Sequence, residues 1–171
     1  MNIVGLMRAL PKAAMLPALA FGVAALMPTG ARAQTVEWSG FGFLSGFTEA
    51  CAEIGYPVGG RIMVYTLFLP SGIGDNGTSS RLTFFERQYA SNLVLTEGRF
   101  DNTWRRVQAG GLGADMEQWP RPTRVRARSQ WPNNDTVNAT TPHIRIVGGV
   151  RGVRGAADCD YSFDAVMILN P

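Results

Sequence analysis

The sequence predicts an all-β fold, a single antiparallel β-sandwich or small β-barrel of seven or eight strands. Short β-prone runs recur about every 8 to 12 residues, with glycine, proline, asparagine or aspartate between them. One run, Arg61–Leu69 (RIMVYTLFL), is apolar on both of its faces, which predicts a strand covered on both sides. No fixed-period repeat and no long linker divides the chain, so a single β-rich domain is expected over residues 34–171.

The first element of this domain is open to two interpretations. Residues 36–48 fit a strand that runs directly into a turn. Alternatively, Ser45 caps a short helix over residues 46–54, which Gly55 and the following proline end. The pattern does not separate the two interpretations.

The remaining strands are placed by hydrophobic runs and by the glycine and proline residues between them. The glycine-rich segments 71–80, 110–123 and 148–157 are expected to be loops. The predicted strands are Arg61–Leu69, 81–89, 91–97, 103–109, 124–131, 143–147 and 160–169.

Residues 1–33 have the pattern of a secretory signal peptide. Arg8 and Lys12 form a basic start, and residues 13–27 are apolar and uncharged but too short and too interrupted for a good membrane span. The triplet 31–33 (ARA) suits a signal peptidase. We therefore expect an exported protein, periplasmic or secreted, with no transmembrane segment after cleavage.

The formal net charge of +3 comes from the predicted signal peptide. The chain has 16 Lys and Arg residues against 13 Asp and Glu, and Arg8, Lys12 and Arg32 precede residue 34 without any acid. The expected mature domain therefore has 13 basic and 13 acidic residues, and every basic one is arginine. This balance and the lack of a recognised motif argue against nucleic acid as a partner.

The two cysteines predict one disulfide bond. Cys51 and Cys159 both lie in the expected mature domain, and an even count is typical of an oxidising compartment. The alternative of a catalytic thiol requires a base, and His143 is the only histidine.

Arginine is concentrated in the second half of the domain. Arg124, Arg126 and Arg128 alternate with small apolar residues, so in a strand they share one face, spaced about 6.5 to 7 Å apart. The candidate ligand-binding residues are Arg105, Arg124, Arg126, Arg128, Trp104 and Trp131. Guanidinium groups suit carboxylate, sulfate or phosphate, and the indole rings would stack on sugars. The alternative is a solvated strand face paired with acids such as Glu86 or Glu97.

Little in the sequence predicts catalysis, a cofactor or a metal site. His143 shares a strand face with Arg145 and has no partner motif, so no catalytic residue is assigned. Asp158, Asp160 and Asp164 match no calcium-loop spacing, and two cysteines with one histidine are too few for a zinc site.

Three functions remain as hypotheses. The first is a non-catalytic exported β-domain that binds an anionic envelope glycan or lipid head group through its arginine-lined strand. The second is a structural component of the cell envelope that contacts another envelope protein. The third is an unrecognised hydrolase.

Overall fold

Eight antiparallel strands close into a barrel in which each strand pairs with its neighbours along the chain and β1 pairs with β8. This computed structural model describes residues 35–87, 89–111, 119 and 122–171. The predicted all-β class is confirmed, and of the two architectures the barrel is the one formed. The strands are β1 (Trp38–Ser45), β2 (Arg61–Leu69), β3 (Ser80–Phe85), β4 (Ala90–Leu95), β5 (Arg105–Gly110), β6 (Thr123–Trp131), β7 (His143–Arg151) and β8 (Asp160–Leu169).

Both interpretations of the first element hold in part. The chain runs as strand β1 only as far as Ser45, and a 3-10 helix then covers Glu49–Ile54. Gly55 ends this helix in the left-handed conformation, with its N–H donating to the carbonyl of Ala52. Two further single-turn 3-10 helices, Asn134–Thr136 and Val153–Gly155, lie in the loops that flank β7.

The barrel interior is filled with side chains. Alternate residues of each strand point inward, and the largest of these are aromatic: Trp38, Phe68, Phe84 and Phe163 are all fully buried. The indole Nε1 of Trp38 donates to the carbonyl of Thr141, so the one polar atom of that ring has a partner. The core therefore consists of packed rings and aliphatic groups.

The pairing of β1 with β8 closes the barrel, and two glycines make it possible. A Cβ on Gly40 would overlap the carbonyl oxygen of Val166, and a Cβ on Gly42 would lie 2.9 Å from the carbonyl oxygen of Asp164. At the start of this seam Asn170 donates its N–H to the carbonyl of Glu37. The two strands thus approach more closely than a side chain at either glycine would permit.

The predicted disulfide between Cys51 and Cys159 is confirmed. Both cysteines are fully buried, and their Cα atoms are 4.6 Å apart. The bond joins the 3-10 helix after β1 to the loop before β8, and Thr48 reinforces the junction by donating through its hydroxyl to the carbonyl of Asp158. The disulfide bond and the hydrogen bond of Thr48 therefore join the segment after β1 to the loop before β8.

The expectation that β2 is covered on both sides is wrong for its outer face. Val64, Thr66 and Phe68 point into the core, but Met63 and Tyr65 point outward and are exposed. The barrel is a single closed sheet, so within the described residues no second sheet covers this side.

Strand β7 is longer than predicted, because Gly148 and Gly149 are part of it. Consecutive glycines usually indicate a loop, but here the lack of side chains is what allows pairing. A Cβ on Gly148 would overlap both the carbonyl oxygen of Arg126 and the ring of Phe163. The strand therefore continues to Arg151.

The predicted signal peptide, residues 1–33, lies outside the described residues and stays a prediction. In the part of the chain that the structure describes, no helix has the length and apolarity needed to cross a membrane.

Replacing Gly40 should destabilise the closure. We expect Gly40→Val to lower the free energy of unfolding by about 3 kcal/mol, since overpacking typically costs about 1–3 kcal/mol and the obstacle here is backbone. Urea denaturation followed by tryptophan fluorescence measures this. Ser45→Val, on the same strand but facing outward and half-buried, is the control. Equal unfolding midpoints for the two variants would contradict this account of the seam.

Removing the disulfide should also destabilise the barrel strongly. The bond closes a loop with a sequence separation of 108, and the loop-entropy model gives about 4 to 5 kcal/mol for a loop of that size. We expect the double variant Cys51→Ala/Cys159→Ala to lose stability by about that amount in urea denaturation. The wild-type protein under reducing conditions should behave like the double variant. Two free thiols in the untreated protein by mass spectrometry would show that the bond does not form.

Candidate anion-binding face

A row of arginine side chains crosses three neighbouring strands on the outside of the barrel. Arg106 on β5 lies directly opposite Arg124 on β6, which in turn lies opposite Arg151 on β7. Side chains directly opposite in an antiparallel pair have Cβ atoms about 4.5 to 5.5 Å apart, and like charges there destabilise the sheet. The fourth strand supplies one acid, Asp160, opposite Arg151. The row therefore carries more positive than negative charge.

Only the outermost arginine of this row has an ion pair among the described residues. Arg151 Nε lies 3.2 Å from Asp160 Oδ2, whereas Arg106 and Arg124 form no ion pair with any described residue. Two adjacent guanidinium groups of the row, those of Arg106 and Arg124, are therefore not neutralised by any described acid.

The expected pairing of this surface with Glu86 or Glu97 is not found. Glu86 accepts a hydrogen bond from Tyr56 at the disulfide end of the barrel. Glu97 is an exposed residue of the loop after β4 and forms no ion pair among the described residues.

A β-bulge interrupts the predicted ladder of Arg124, Arg126 and Arg128. The register with β7 shifts after Ala127, so Arg128 has no direct cross-strand partner there. All three side chains still lie on the outer surface, and Arg128 Nη2 reaches to 3.4 Å from the hydroxyl of Ser162 on β8. Because of the bulge, the three guanidinium groups do not form a straight line along β6, and that of Arg128 extends across β7 towards β8.

Trp104 supports two of these arginines. The Cζ atoms of Arg126 and Arg151 lie 4.7 Å and 4.1 Å from the centroid of its indole ring. Gly149 makes room for the ring, because a Cβ there would lie 3.2 Å from Trp104 Cη2. Cation–π contact stabilises both guanidinium groups without neutralising them. Since the ring is already engaged by these arginines, Trp104 positions charge here, and the expectation that it stacks on a sugar finds no support in this arrangement.

We call this surface the arginine face, and it comprises Arg106, Arg124, Arg126, Arg128 and Arg151 together with Trp104. A groove of about 390 Å³ opens beside it, lined by Pro122, Arg124, Arg151, Gly152, Ala157, Asp158 and Asp160. The two carboxylates lie on the β8 side of the groove.

Two of the predicted ligand residues do not contribute to the arginine face. Arg105 forms an ion pair with Asp101, with Nη2 and Oδ2 2.7 Å apart. Trp131 lies at the far end of β6, about 17 Å along the strand from Arg126, and stacks on His143 with ring centroids 4.8 Å apart. Only Arg124, Arg126, Arg128 and Trp104 of the predicted set come together.

The sequence prediction missed Arg106 and Arg151 as members of this face. Arg106 directly follows Arg105, and strand alternation from the buried Val107 identifies it as the outward-facing residue of the two. Arg151 follows two glycines that indicated a loop, so its place on β7 is visible only from the strand register.

The arrangement around His143 does not resemble that of a catalytic base. The imidazole is exposed on the outer side of β7 and packs against the indole of Trp131. No ion pair or side-chain hydrogen bond joins it to an acid among the described residues. The described residues also contain no group of three or more His, Cys, Asp or Glu residues arranged to hold a metal ion.

A second polar cluster lies at the disulfide end of the barrel. Tyr56 Oη donates to Glu86 Oε1 at 2.8 Å, and Arg154 Cζ lies 3.6 Å from the ring centroid of Tyr89. Arg154 adopts the left-handed conformation, with φ 50°, which is unusual for a residue other than glycine. Burial raises the pKa of Glu86, and the hydrogen bond from Tyr56 and the charge of Arg154 offset this only in part. Burial likewise raises the pKa of Tyr161, which packs beneath Tyr56.

Comparison of the chain with known protein families, curated proteins and solved structures gives no match. The function of the arginine face therefore has to be argued from its own geometry.

The buried Glu86 carboxyl should make stability depend on pH. Its folded-state pKa is raised above the ordinary value of 4.5, so the folded protein holds this proton more tightly than the unfolded chain does. The free energy of unfolding should then fall as the pH rises from about 4.5 through the raised pKa. Glu86→Gln keeps an acceptor for Tyr56 and removes the titration, so the variant should lose less stability than wild type as the pH rises above about 4.5.

Thermal unfolding at a series of pH values measures this difference. Glu97→Gln, a substitution at an exposed carboxylate, is the control and should follow the wild-type profile. A Glu86→Gln profile that coincides with wild type would show that burial of this carboxyl has no net effect on stability.

Proposed function

We propose that this chain is an exported, non-catalytic β-barrel that binds an anionic ligand of the cell envelope, a glycan or a lipid head group, through its arginine face. The observation that carries the proposal is the direct cross-strand opposition of Arg106, Arg124 and Arg151 with one acid, Asp160, at the end of the row. Like charges directly opposite each other destabilise the sheet when no anion is bound, and a bound anion would offset this destabilisation.

The chemistry of the donors supports an oxygen anion as the ligand. Each guanidinium group offers several N–H donors in one plane and matches carboxylate, sulfate or phosphate oxygens in a bidentate manner. The cation–π contacts of Trp104 with Arg126 and Arg151 restrict these long side chains before a ligand arrives. Less conformational entropy is then lost on binding.

The pattern of contacts favours ligands with several anionic groups over neutral sugars. The positively charged side chains spread over three strands, and Trp104 is engaged by arginine instead of being left open as a stacking surface. Sulfated or uronic-acid glycans and phosphate-bearing lipid head groups share this chemistry. The experiment below separates these two sources.

Export is part of the proposal. It is supported by the signal-like residues 1–33 and by the Cys51–Cys159 disulfide, which is compatible with an oxidising compartment. Periplasm and extracellular space fit these observations equally.

A second candidate function is that of an interaction component of the cell envelope. It is favoured by exposed apolar side chains on β1, β2 and β8, which lie on a different side of the barrel from the arginine face. The two functions are compatible, because they use separate surfaces.

Reversing the central charge of the row should strongly weaken anion binding. We expect Arg124→Glu to weaken binding to heparin about tenfold or more, since a hydrogen bond to a charged group contributes about 1.5–3 kcal/mol. The elution salt from a heparin column and the affinity by calorimetry measure this. Phosphatidylglycerol vesicles, tested with phosphatidylcholine vesicles as the neutral reference, report on lipid head groups.

Arg81→Glu is the matched control, because Arg81 is an exposed arginine on β3 and the substitution changes the net charge equally. It should retain most of the heparin affinity. The proposal fails if Arg124→Glu binds like wild type, or if Arg81→Glu loses as much affinity as Arg124→Glu. Binding to heparin alone would identify the glycan as the ligand class, and binding to the anionic vesicles alone would identify the lipid.

A further inference from the structure

The groove beside the arginine face is lined by side chains of both charges. Arg124 and Arg151 line it from β6 and β7, and Asp158 and Asp160 line it on the β8 side. A ligand that carried only negative charge would therefore meet carboxylates as well as guanidinium groups. A groove of this composition would discriminate among the anionic ligands that the arginine face attracts.

Two of these four charges neutralise each other. Arg151 Nε lies 3.2 Å from Asp160 Oδ2, and the N–H of Gly152 donates to Asp160 Oδ1 at 3.4 Å. Both oxygens of this carboxylate thus have a partner within the chain. Trp104 also contacts Arg151, with the guanidinium carbon 4.1 Å from the ring centroid. The Arg151–Asp160 pair is therefore part of the framework of the groove and needs no ligand to neutralise it.

One cation and one carboxylate of the groove remain without an ion pair among the described residues. The cation is Arg124, and Arg106, which lies directly opposite it on β5, adds a second positive charge. The carboxylate is that of Asp158, which is exposed. Asp158 precedes Asp160 by two residues, so it lies about 7 Å further along the line of β8. Arg124 and Asp158 therefore face the groove from diagonally opposite positions.

Several contacts fix the backbone on which Asp158 lies. The hydroxyl of Thr48 donates to the carbonyl of Asp158 and accepts from the N–H of Asp160 at 3.0 Å. Between these two acids, Cys159 is bonded to Cys51. None of these contacts uses the carboxylate of Asp158. The protein thus holds this residue in the wall of the groove and leaves its charge for a ligand.

Gly152 keeps the groove open next to Arg151. Its φ is 72°, and a Cβ there would lie 2.8 Å from the carbonyl oxygen of Pro122. The hydroxyl of Thr123 donates to the carbonyl of Gly152 at 2.9 Å, which holds the start of β6 against the end of β7. The volume of about 390 Å³ is at the lower end of the range for small-molecule sites and suits a small head group.

The positions of these charges fit a ligand that has both a phosphate and an ammonium group. The phosphate would take bidentate hydrogen bonds from Arg124 and the adjacent Arg106, and the ammonium would donate to Asp158. The backbones of β6 and β8 are two strand spacings, or about 10 Å, apart, and the long side chain of Arg124 shortens this gap. A short spacer between the two ligand charges is therefore needed. An amino acid, in which one carbon carries both charged groups, has no such spacer.

Asp158 favours a primary ammonium over a quaternary one. A primary ammonium has three N–H donors for a carboxylate, whereas a quaternary ammonium has none. Quaternary ammonium groups instead bind against the faces of aromatic rings. The described residues that line the groove include no aromatic ring, and the nearby Trp104 already contacts Arg126 and Arg151.

We propose that the groove binds phosphoethanolamine, with the phosphate on Arg124 and Arg106 and the ammonium on Asp158. This inference rests on the proposed function of the arginine face and makes its ligand class more specific. Phosphoethanolamine has the required phosphate and primary ammonium, joined by a two-carbon spacer. A lipid and a glycan can both carry this head group, and its chemistry at the groove is the same in either case.

NMR titrations of the full exported chain with O-phosphoethanolamine, phosphocholine and glycerol 1-phosphate test this proposal. We expect O-phosphoethanolamine to bind about fivefold more tightly than the other two compounds, as one additional exposed ion pair would produce. Asp158→Asn should remove this preference without weakening the binding of glycerol 1-phosphate. Asp135→Asn is the matched control, because Asp135 is an exposed acid in the loop between β6 and β7, and it should keep the preference.

Vesicles separate the two sources of the head group. Binding to phosphatidylcholine vesicles that contain phosphatidylethanolamine, and not to phosphatidylcholine alone, would support the proposal with a lipid as the source. Binding of O-phosphoethanolamine without binding to these vesicles would support it with a glycan as the source.

Two outcomes would overturn this inference and leave the proposed function intact. One is equal affinity of wild type for O-phosphoethanolamine and glycerol 1-phosphate, while Arg124→Glu still weakens heparin binding. The other is a preference for O-phosphoethanolamine that Asp158→Asn retains, because the ammonium would then not bind Asp158. If wild type binds neither these compounds nor heparin nor anionic vesicles, the proposed function fails, and this inference fails with it.

Discussion

The close approach of β1 to β8 is the constraint on which the remaining structure depends. It is possible because Gly40 and Gly42 leave the backbone of β8 unobstructed. Once these strands pair, every strand has two neighbours and no edge is left open. Every outward side chain then has a fixed angular position around the barrel, which a sheet with free edges would define less strictly.

Closure also accounts for the coexistence of two dissimilar surfaces on a small domain. The arginine face extends over β5 to β7, and exposed apolar side chains lie on β8, β1 and β2, with Asp160 and Asp164 on β8 between them. Both acids form ion pairs with arginines of β7. These ion pairs lie between the arginine face and the exposed apolar side chains of β1 and β2.

The sequence was sufficient for features that depend on local pattern. The bounds of β2 follow from its apolar run, those of β6 to within one residue, and the disulfide from the count of two cysteines. The sequence did not predict that β1 pairs with β8 to close the barrel, because most of the chain separates these two strands. The arginine face was predicted only in part, because the place of Arg151 depends on Gly148 and Gly149 continuing β7. Glycine there meets a steric requirement from Phe163, which local propensity does not reveal.

The seam between β1 and β8 has a practical consequence. Asn170 donates its backbone N–H to Glu37 and accepts a hydrogen bond from Ser39, so the two ends of the barrel sequence lie side by side. A short peptide could join residue 171 to residue 35 without spanning the barrel, and new ends could be opened in an exposed loop. Circular permutation should therefore be tolerated wherever the new ends leave the disulfide bond and the pairing of β1 with β8 intact.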